Sequence, residues 1–180
     1  MDSIVLYGGG FDPIHNGHLR LAKAASKAFG ADVFFIPNRT PPWKTPNAPL
    51  EARLEMIRLA LEESLDPRLK LSLYEIENGA EVNYSIDTVR HFVKEYPDKK
   101  IYLLIGADEA NLFYKWKEPD EIARLAQIAV IPRPDMEISS EMVKRYHMVT
   151  LDYHESGDVS SSGVRQLSHA DIPISVRDYI

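Results

Sequence analysis

Apolar and polar residues follow two alternating patterns along the chain. Short apolar runs, typical of buried strands, occupy residues 3–7, 31–37, 70–77, 100–105, 127–132 and 148–152. Other stretches repeat apolar residues every three or four positions, which predicts helices. These helices are expected at residues 15–29, 50–64, 85–96, 119–125 and 139–146, with two short ones at 161–167 and 173–180. The apolar side of the second helix is predicted to consist of Leu50, Leu54, Ile57 and Leu61.

The regular alternation of strands and helices predicts the fold class. Near-continuous apolar strands are typical of a mainly parallel sheet with helices on both faces. We therefore expect a single Rossmann-like, doubly wound α/β domain over residues 1–180. In such sheets the ligand binds beyond the carboxyl ends of the strands, where the strand order reverses. Residues that directly follow the strands are therefore the first candidates for chemistry.

Composition narrows the choice of partners. The net charge is -6, whereas proteins that bind long nucleic acids usually carry a basic face, so a small phosphorylated substrate is the better expectation. No apolar run approaches the ~20 residues that span a bilayer, and no signal peptide is recognisable. The absence of cysteine excludes disulfides, thiolate catalysis and cysteine-bound metals. We expect a cytoplasmic protein without nucleic-acid or membrane partners, and a homo-oligomer stays open.

The strongest candidate for chemistry directly follows the first predicted strand. Here Gly8-Gly9-Gly10 leads into a helix start that carries His15 and His18, which are three positions apart and share a helix face. Glycines let the backbone approach phosphate oxygens closely. A helix start offers free N–H groups at the positive end of the helix dipole. The segment therefore predicts a phosphate site.

The segment also admits other readings. The dinucleotide fingerprint G-x-G-x-x-G starting at Gly8 requires glycine where Pro13 stands, and the phosphate-loop motif lacks its G-K-[ST]. The two histidines could instead bind a metal together with Asp12, although no H-E-x-x-H pattern supports a third ligand. A purely structural helix start is the remaining alternative.

The segment from residue 8 to residue 18 reads Gly-Gly-Gly-Phe-Asp-Pro-Ile-His-Asn-Gly-His. It resembles the signature of the nucleotidyltransferase superfamily that carries a His-x-Gly-His motif. This superfamily includes nicotinate mononucleotide, nicotinamide mononucleotide and phosphopantetheine adenylyltransferases. The resemblance implies that His15 and His18 are catalytic. It also implies that ATP is bound by Gly8, Gly9, Gly10, Phe11 and His18.

A serine-rich segment near the end of the chain resembles the second phosphate signature of the same superfamily. Residues 159–165 read Val-Ser-Ser-Ser-Gly-Val-Arg, similar to Ile-Ser-Ser-Thr-x-Ile-Arg. The resemblance implies that Ser160, Ser161 and Arg165 hold the ATP tail, with Arg165 and Lys44 acting in catalysis. From the residues alone, a serine-capped helix start explains the segment equally well.

Three further segments resemble the bacterial nicotinate mononucleotide adenylyltransferases. They read Asn-Tyr-Ser-Ile-Asp-Thr-Val at 83–89, Ile-Gly-Ala-Asp at 105–108 followed by Trp-Lys at 116–117, and Ile-Pro-Arg-Pro at 131–134. With the two signatures above, the resemblance covers nearly the whole chain. It implies that Gly106, Asp108 and Arg133 bind ATP. It also implies a substrate site made of Tyr84, Ser85, Ile86, Trp116 and Lys117.

The resemblance implies a reaction between ATP and nicotinate mononucleotide. The mononucleotide phosphate attacks the α-phosphorus of ATP and releases pyrophosphate, with Mg²⁺ bound to the ATP tail and no metal site on the protein. The alternatives are nicotinamide mononucleotide or phosphopantetheine as acceptor, or a catalytically idle nucleotide-binding module. Trp43 departs from the family, which usually has histidine before Lys44, and residues 168–180 form a shorter tail than expected.

Overall fold

The strands form one parallel sheet. The computed structural model describes residues 2–39, 46–153 and 171–180. Within these ranges the strands are β1 (Ser3–Gly9), β2 (Ala31–Pro37), β3 (Leu69–Leu71), β4 (Lys100–Gly106), β5 (Gln127–Ile131) and β6 (Val149–Thr150). Their order is β3-β2-β1-β4-β5-β6, and all neighbours are parallel. The strand order therefore reverses at β1 and β4, which confirms the doubly wound class.

The helices connect successive strands and cover both faces of the sheet. They are α1 (Asn16–Phe29), α2 (Leu50–Ser64), α3 (Tyr74–Glu77), α4 (Ser85–Glu95), α5 (Ala107–Asn111), α6 (Pro119–Leu125), α7 (Ser140–Tyr146) and α8 (Ile174–Tyr179), with a 3₁₀ turn at Phe113–Lys115. Helix α1 ends at Gly30, whose φ of 57° is the left-handed cap conformation that favours glycine. None of the described helices is long and apolar enough to cross a membrane.

Two separate cores follow from the period-two alternation along the strands. On β1, Val5 and Tyr7 face the core that α1, α2 and α8 complete. The intervening Ile4 and Leu6 face the opposite core, which is formed with α4, α5, α6 and α7. Burial of each such large apolar side chain contributes about 1.5–3 kcal/mol, so both sheet faces must be covered.

The segment 70–77 differs from the predicted strand. Strand β3 ends at Leu71, and Ser72 accepts a hydrogen bond from the Tyr74 N–H through its side chain (3.3 Å), which turns the chain into α3. Because β3 is an edge strand with a partner on one side only, the alternating apolar pattern after Leu71 is not extended by pairing. The short elements α5 and Phe113–Lys115 were also not predicted, since fewer than two turns carry too little periodicity to recognise.

The buried face of α2 also differs from the predicted stripe. Its buried residues are Arg53, Met56, Ile57 and Ala60, whereas the predicted Leu50, Leu54 and Leu61 are only half-buried. The helix is therefore rotated so that an arginine points into the protein. This rotation has consequences for the site described next.

Candidate active site

His15 and His18 cap the start of α1 reciprocally. The backbone N–H of His15 donates to Nδ1 of His18 (3.1 Å), and the backbone N–H of His18 donates to Nδ1 of His15 (3.3 Å). Their rings stack with centroids 3.6 Å apart. His15 is itself the N-cap residue, with extended backbone, so the pair closes the start of α1 a short segment after Gly10.

The reciprocal cap determines the chemical state of both imidazoles. Since each Nδ1 accepts a hydrogen bond, the ring proton of the neutral form resides on Nε2. Burial lowers the pKa of His15 from 6.5 to about 4. Loss of hydration, assisted by the neighbouring His15, holds the pKa of His18 well below its usual value. At neutral pH the pair therefore offers two uncharged Nε2–H donors and no proton acceptor at Nδ1.

Phe11 fixes the position of the His18 ring. Its side chain is buried and lies edge-on to His18, with ring centroids 5.2 Å apart, and it also packs on Tyr7 and Phe35. Its φ of 46° lies in the left-handed region, which is unusual for a bulky residue. A Cβ on Gly9 would lie 3.2 Å from the Phe11 ring, so the glycine leaves room for this packing.

Asp12 joins the glycine turn to the segment that precedes α2. Its carboxylate accepts hydrogen bonds from the backbone N–H groups of Asn47 (2.6 Å) and Ala48 (3.2 Å). These amides engage both carboxylate oxygens, and both Nδ1 atoms of the histidine pair are also engaged. Within residues 2–39, 46–153 and 171–180, no group of three or more potential metal-binding side chains is close enough to hold an ion.

The carboxyl ends of β4 and β5 lie at the same edge of the sheet as the glycine turn. Gly106 ends β4, and its N–H donates to Oε2 of Glu109 (2.8 Å), which closes the start of α5. A Cβ at Gly106 would lie 2.6 Å from Oδ1 of Asp108, so only glycine accommodates the observed Asp108 side chain. Arg133 follows β5 in an exposed turn, where its carbonyl accepts from the Met136 N–H (3.3 Å). Gly106 thus ends β4, while Asp108 and Arg133 follow the neighbouring strands β4 and β5 at the same edge of the sheet.

Tyr84 and Lys117 meet at the start of α4. Tyr84 is the N-cap residue, and the Lys117 Nζ lies 4.3 Å from the centroid of its ring. The N–H groups of Ser85 and Ile86 have no hydrogen-bond partner in the described part of the chain. Helix α4 returns from the carboxyl edge of the sheet toward the start of β4, so its N-terminus lies at the edge where ligands bind.

Ile86 and Trp116 both belong to the predicted substrate site, and both also pack against the second core. The Ile86 side chain is fully buried in the second core, so only its backbone is available to a ligand. Trp116 is half-buried, packs against Phe113 with ring centroids 5.1 Å apart and touches the same core. The structure thus brings the predicted substrate-binding segments at 84–86 and 116–117 together.

The remaining predicted residues lie outside the described part of the chain. They are Lys44, Ser160, Ser161 and Arg165. Sequence reasoning missed Arg53, which is fully buried on α2 and bonds the backbone next to β1 and β2. Its signal was its place three positions after Leu50 and four before Ile57, which puts a charged residue on the apolar side of the helix.

The fold and the histidine pair define a class. A doubly wound parallel sheet whose first strand leads through a glycine turn into a His-x-Gly-His helix start is typical of nucleotidyltransferases. Consistently, the family model described as cytidylyltransferase-like matches residues 6–167.

Known relatives narrow this class. A nicotinate-nucleotide adenylyltransferase of Bacillus subtilis (strain 168) is 32% identical over 189 residues, which cover 100% of this chain and 96% of the relative. A probable nicotinate-nucleotide adenylyltransferase of Aquifex aeolicus (strain VF5) is 37% identical over 145 residues, covering 79% of this chain and 84% of the relative. The chain belongs to the cytidylyltransferase-like family and, within it, to the nicotinate-nucleotide adenylyltransferases.

A solved structure matches the fold over its whole length. The Plasmodium falciparum nicotinic acid mononucleotide adenylyltransferase complexed with NaAD superposes with a TM-score of 0.78, covering 100% of this chain and 95% of that one. The identity is 19%, so this likeness concerns the fold.

Proposed function

We propose that this chain transfers the adenylyl group of ATP to nicotinate mononucleotide, which yields nicotinate adenine dinucleotide and pyrophosphate. The observation that carries the proposal is the pair of uncharged Nε2–H donors of His15 and His18, held by their reciprocal cap beside the glycine turn. Family membership supplies the identity of the two substrates.

The histidine pair suits stabilisation of charge rather than proton transfer. A phosphomonoester has a second pKa of ~6, so the attacking phosphate of nicotinate mononucleotide is already ionised at neutral pH. No general base is needed. The two Nδ1 atoms do not serve as one, because each already accepts a backbone hydrogen bond. Preorganised donors directed at developing charge lower the barrier, so we assign the Nε2–H groups of His15 and His18 to the α-phosphate and its bridging oxygen.

The N–H groups of Gly10 and Phe11 support the same phosphate. Neither N–H has a hydrogen-bond partner in the described part of the chain. Two consecutive free N–H groups in a turn with a left-handed residue form a concave anion-binding arrangement. By resemblance, Lys44, Ser160, Ser161 and Arg165 hold the β- and γ-phosphates as pyrophosphate leaves.

We further propose Mg²⁺ as the ion that accompanies ATP. The described residues supply no cluster of carboxylates for it, whereas Mg²⁺ commonly binds through substrate phosphates and water with few protein ligands. Its role is to neutralise the charge of the ATP tail. Gly106 and Asp108 are assigned to the ATP ribose and Arg133 to the adenine end. An enzyme that consumes ATP in this way is expected in the cytoplasm.

Recognition of the base is assigned to the start of α4 and to Trp116. The flat pyridine ring needs a flat partner, for which Trp116 is the candidate. The free N–H groups of Ser85 and Ile86 favour a carboxylate, because the NH₂ of a carboxamide would leave one donor unpaired. The Lys117 ammonium beside Tyr84 adds positive charge at the same helix end. Nicotinate is therefore the expected base.

One assay tests the proposal and separates its alternatives. Pyrophosphate release from Mg²⁺–ATP is measured with nicotinate mononucleotide, nicotinamide mononucleotide and phosphopantetheine as separate acceptors. We expect the highest kcat/KM with nicotinate mononucleotide. A higher value with another acceptor would reassign the enzyme, and no release with any acceptor would leave a nucleotide-binding module.

A further inference from the structure

Arg53 bonds the backbone at the ends of two neighbouring strands. Its Nη1 donates to the carbonyl oxygens of Gly10 (2.8 Å) and Asn38 (3.0 Å), and its Nη2 donates to that of Arg39 (2.8 Å). The residue is fully buried. Gly10 directly follows β1, while Asn38 and Arg39 directly follow β2. One guanidinium therefore ties together the two segments that border the candidate phosphate site.

The bond to Gly10 determines where the next N–H points. The Gly10–Phe11 peptide is trans, since Asp12–Pro13 is the cis bond in the described part of the chain. In a planar trans peptide the carbonyl and the following N–H point in opposite directions. Because the Gly10 carbonyl points inward to Arg53, the Phe11 N–H points away from the guanidinium. This N–H has no partner among the described residues.

The same bond stabilises an unfavourable backbone conformation. Phe11 has a φ of 46°, and such conformations persist only where the surroundings hold them. The Phe11 ring is held by packing, but packing of the ring leaves the preceding carbonyl undefined. The hydrogen bond from the guanidinium fixes the direction of the Gly10 carbonyl. Because the donor is charged, it also polarises the Gly10–Phe11 peptide, so that the Phe11 N–H becomes a stronger donor.

Filling space alone does not explain an arginine at this position. A buried charge costs free energy unless its hydrogen bonds are made, and an apolar side chain of similar volume often packs as well or better. Nε of Arg53 has no hydrogen-bond partner among the described groups, which adds to that cost. A function in which the guanidinium orients the carbonyl groups accounts for its presence.

We propose that Arg53 is a positioning residue for adenylyl transfer, which holds the Gly10–Phe11 peptide so that the Phe11 N–H is directed at the bound triphosphate. The inference relies on the proposed function for the identity of the ligand. Arg53 itself touches backbone carbonyls and acts through the Phe11 N–H.

The test compares two arginines on the same helix. Arg53→Lys keeps the charge, but its ammonium ends about one bond short of the Nη1 position and has no second terminal nitrogen for the Arg39 carbonyl, so it cannot reproduce the three bonds. Arg53→Met removes the donors. Arg58→Lys and Arg58→Met are the matched controls, because Arg58 is exposed on α2 and pairs with Glu55 at 3.7 Å. For each protein, the Phe11 amide resonance is followed in ¹⁵N-labelled protein without and with ATP, ATP affinity is measured by calorimetry, and kcat and KM by pyrophosphate release.

We expect the Arg53 variants to move the free-protein Phe11 resonance and to weaken ATP binding by about tenfold or more, the scale of a lost charge-assisted bond. They should also lower kcat, with the KM for nicotinate mononucleotide changed by less than about threefold. The Arg58 variants should match the wild type in every measurement. If Arg53→Met does not fold, the comparison of Arg53→Lys with the wild type tests the proposal by itself.

Two results would overturn the inference. One is a folded Arg53→Lys protein that binds ATP within about twofold of the wild type and keeps its Phe11 resonance. The other is a wild-type Phe11 amide that does not respond to ATP. A wild type that binds ATP with a Phe11 shift but releases no pyrophosphate with any acceptor overturns the proposed function and leaves the role of Arg53 in orienting the peptide supported.

Discussion

The histidine pair and the start of α4 serve the same proposed reaction but are held very differently. His15 is 3% exposed and sits in a reciprocal cap, with its partner His18 against the buried Phe11 ring. Tyr84 is 43% exposed, and its described side-chain contact is the Lys117 ammonium. The phosphate end is thus fixed by packing and hydrogen bonds, whereas the base end presents a helix terminus to solvent.

This difference corresponds to the two tasks. Stabilising charge in a transition state requires donors that are in place before the reaction, since rearranging them would cost free energy at that moment. Recognising a base requires only that the correct partner bind better than the wrong one. We therefore expect changes at the histidine pair to affect kcat strongly, and changes at the base end to affect binding moderately.

The largest effect is expected from loss of the Nε2–H donors. His15→Ala and His18→Ala should each lower kcat by ~10²–10³ with little change in KM, the usual loss for one preorganised donor. His15→Asn is the informative companion, because asparagine can still cap the helix but lacks the Nε2–H donor. It should recover thermal stability relative to His15→Ala without recovering kcat.

These values are measured by steady-state pyrophosphate release and thermal unfolding. His91→Ala serves as a control, since His91 is a half-buried histidine of α4 that stacks on Tyr74 and pairs with Glu95 at 2.8 Å. A His18→Ala protein that keeps more than about a tenth of the wild-type kcat would contradict the assignment.

The second prediction concerns pH. Because the folded pKa of His15 is about 4, the unfolded chain binds more protons between about pH 6.5 and pH 4, and stability falls as the pH is lowered through that window. Between pH 7 and pH 5 the loss from His15 should be about 2 kcal/mol, from 1.36 kcal/mol per unit. His18 contributes in the same direction.

Urea unfolding at the two pH values measures this loss, and the His15→Asn variant should lose less stability than the wild type over the same interval. Nuclear magnetic resonance titration of the His15 ring gives its pKa directly. A His15 that titrates near 6.5 in the folded protein would remove both the neutral-donor assignment and the pH effect.

The third prediction concerns the choice of base. The wild type should favour nicotinate over nicotinamide mononucleotide in kcat/KM by well over tenfold, which is ~1.4 kcal/mol. The reason is the pair of N–H groups at Ser85 and Ile86, which have no partner in the described part of the chain and which a carboxylate satisfies better than a carboxamide. Near-equal use of the two bases would show that the start of α4 does not select between them.

The smallest effect is expected at Trp116. Stacking contributes ~0.5–1.5 kcal/mol beyond burial and is the same for either base, so Trp116→Ala should weaken both mononucleotides by similar factors. The ratio of their kcat/KM values should stay nearly unchanged, and kcat should fall far less than in His18→Ala. Tyr114→Ala, which removes an exposed aromatic ring two positions away, is the control. A changed ratio would give Trp116 a part in base selection.

Local sequence patterns were sufficient to predict much of the fold. The alternation of strands and helices predicted the sheet, because each apolar run must be buried and each amphipathic stretch must cover it. The end of α1 at Gly30 is also decided locally, since its cap needs only the left-handed conformation that glycine adopts. The three-residue spacing of His15 and His18 predicted that the two rings lie close together, but they meet through the reciprocal cap and not on a helix face, because His15 is the N-cap residue with extended backbone.

What the sequence could not decide depends on contacts between distant residues. The inward-facing side of α2 is determined by backbone carbonyl groups that accept hydrogen bonds from Arg53. One of them belongs to Gly10, which lies 43 residues before Arg53 in the chain. The end of β3 at Leu71 follows from its place at the sheet edge, and the carboxylate of Asp12 is committed to amides 35 and 36 positions away. A residue type and its spacing determine what a side chain can do locally. Which buried carbonyl or amide it meets is determined only when the sheet brings the two segments together, because no local pattern encodes that distance.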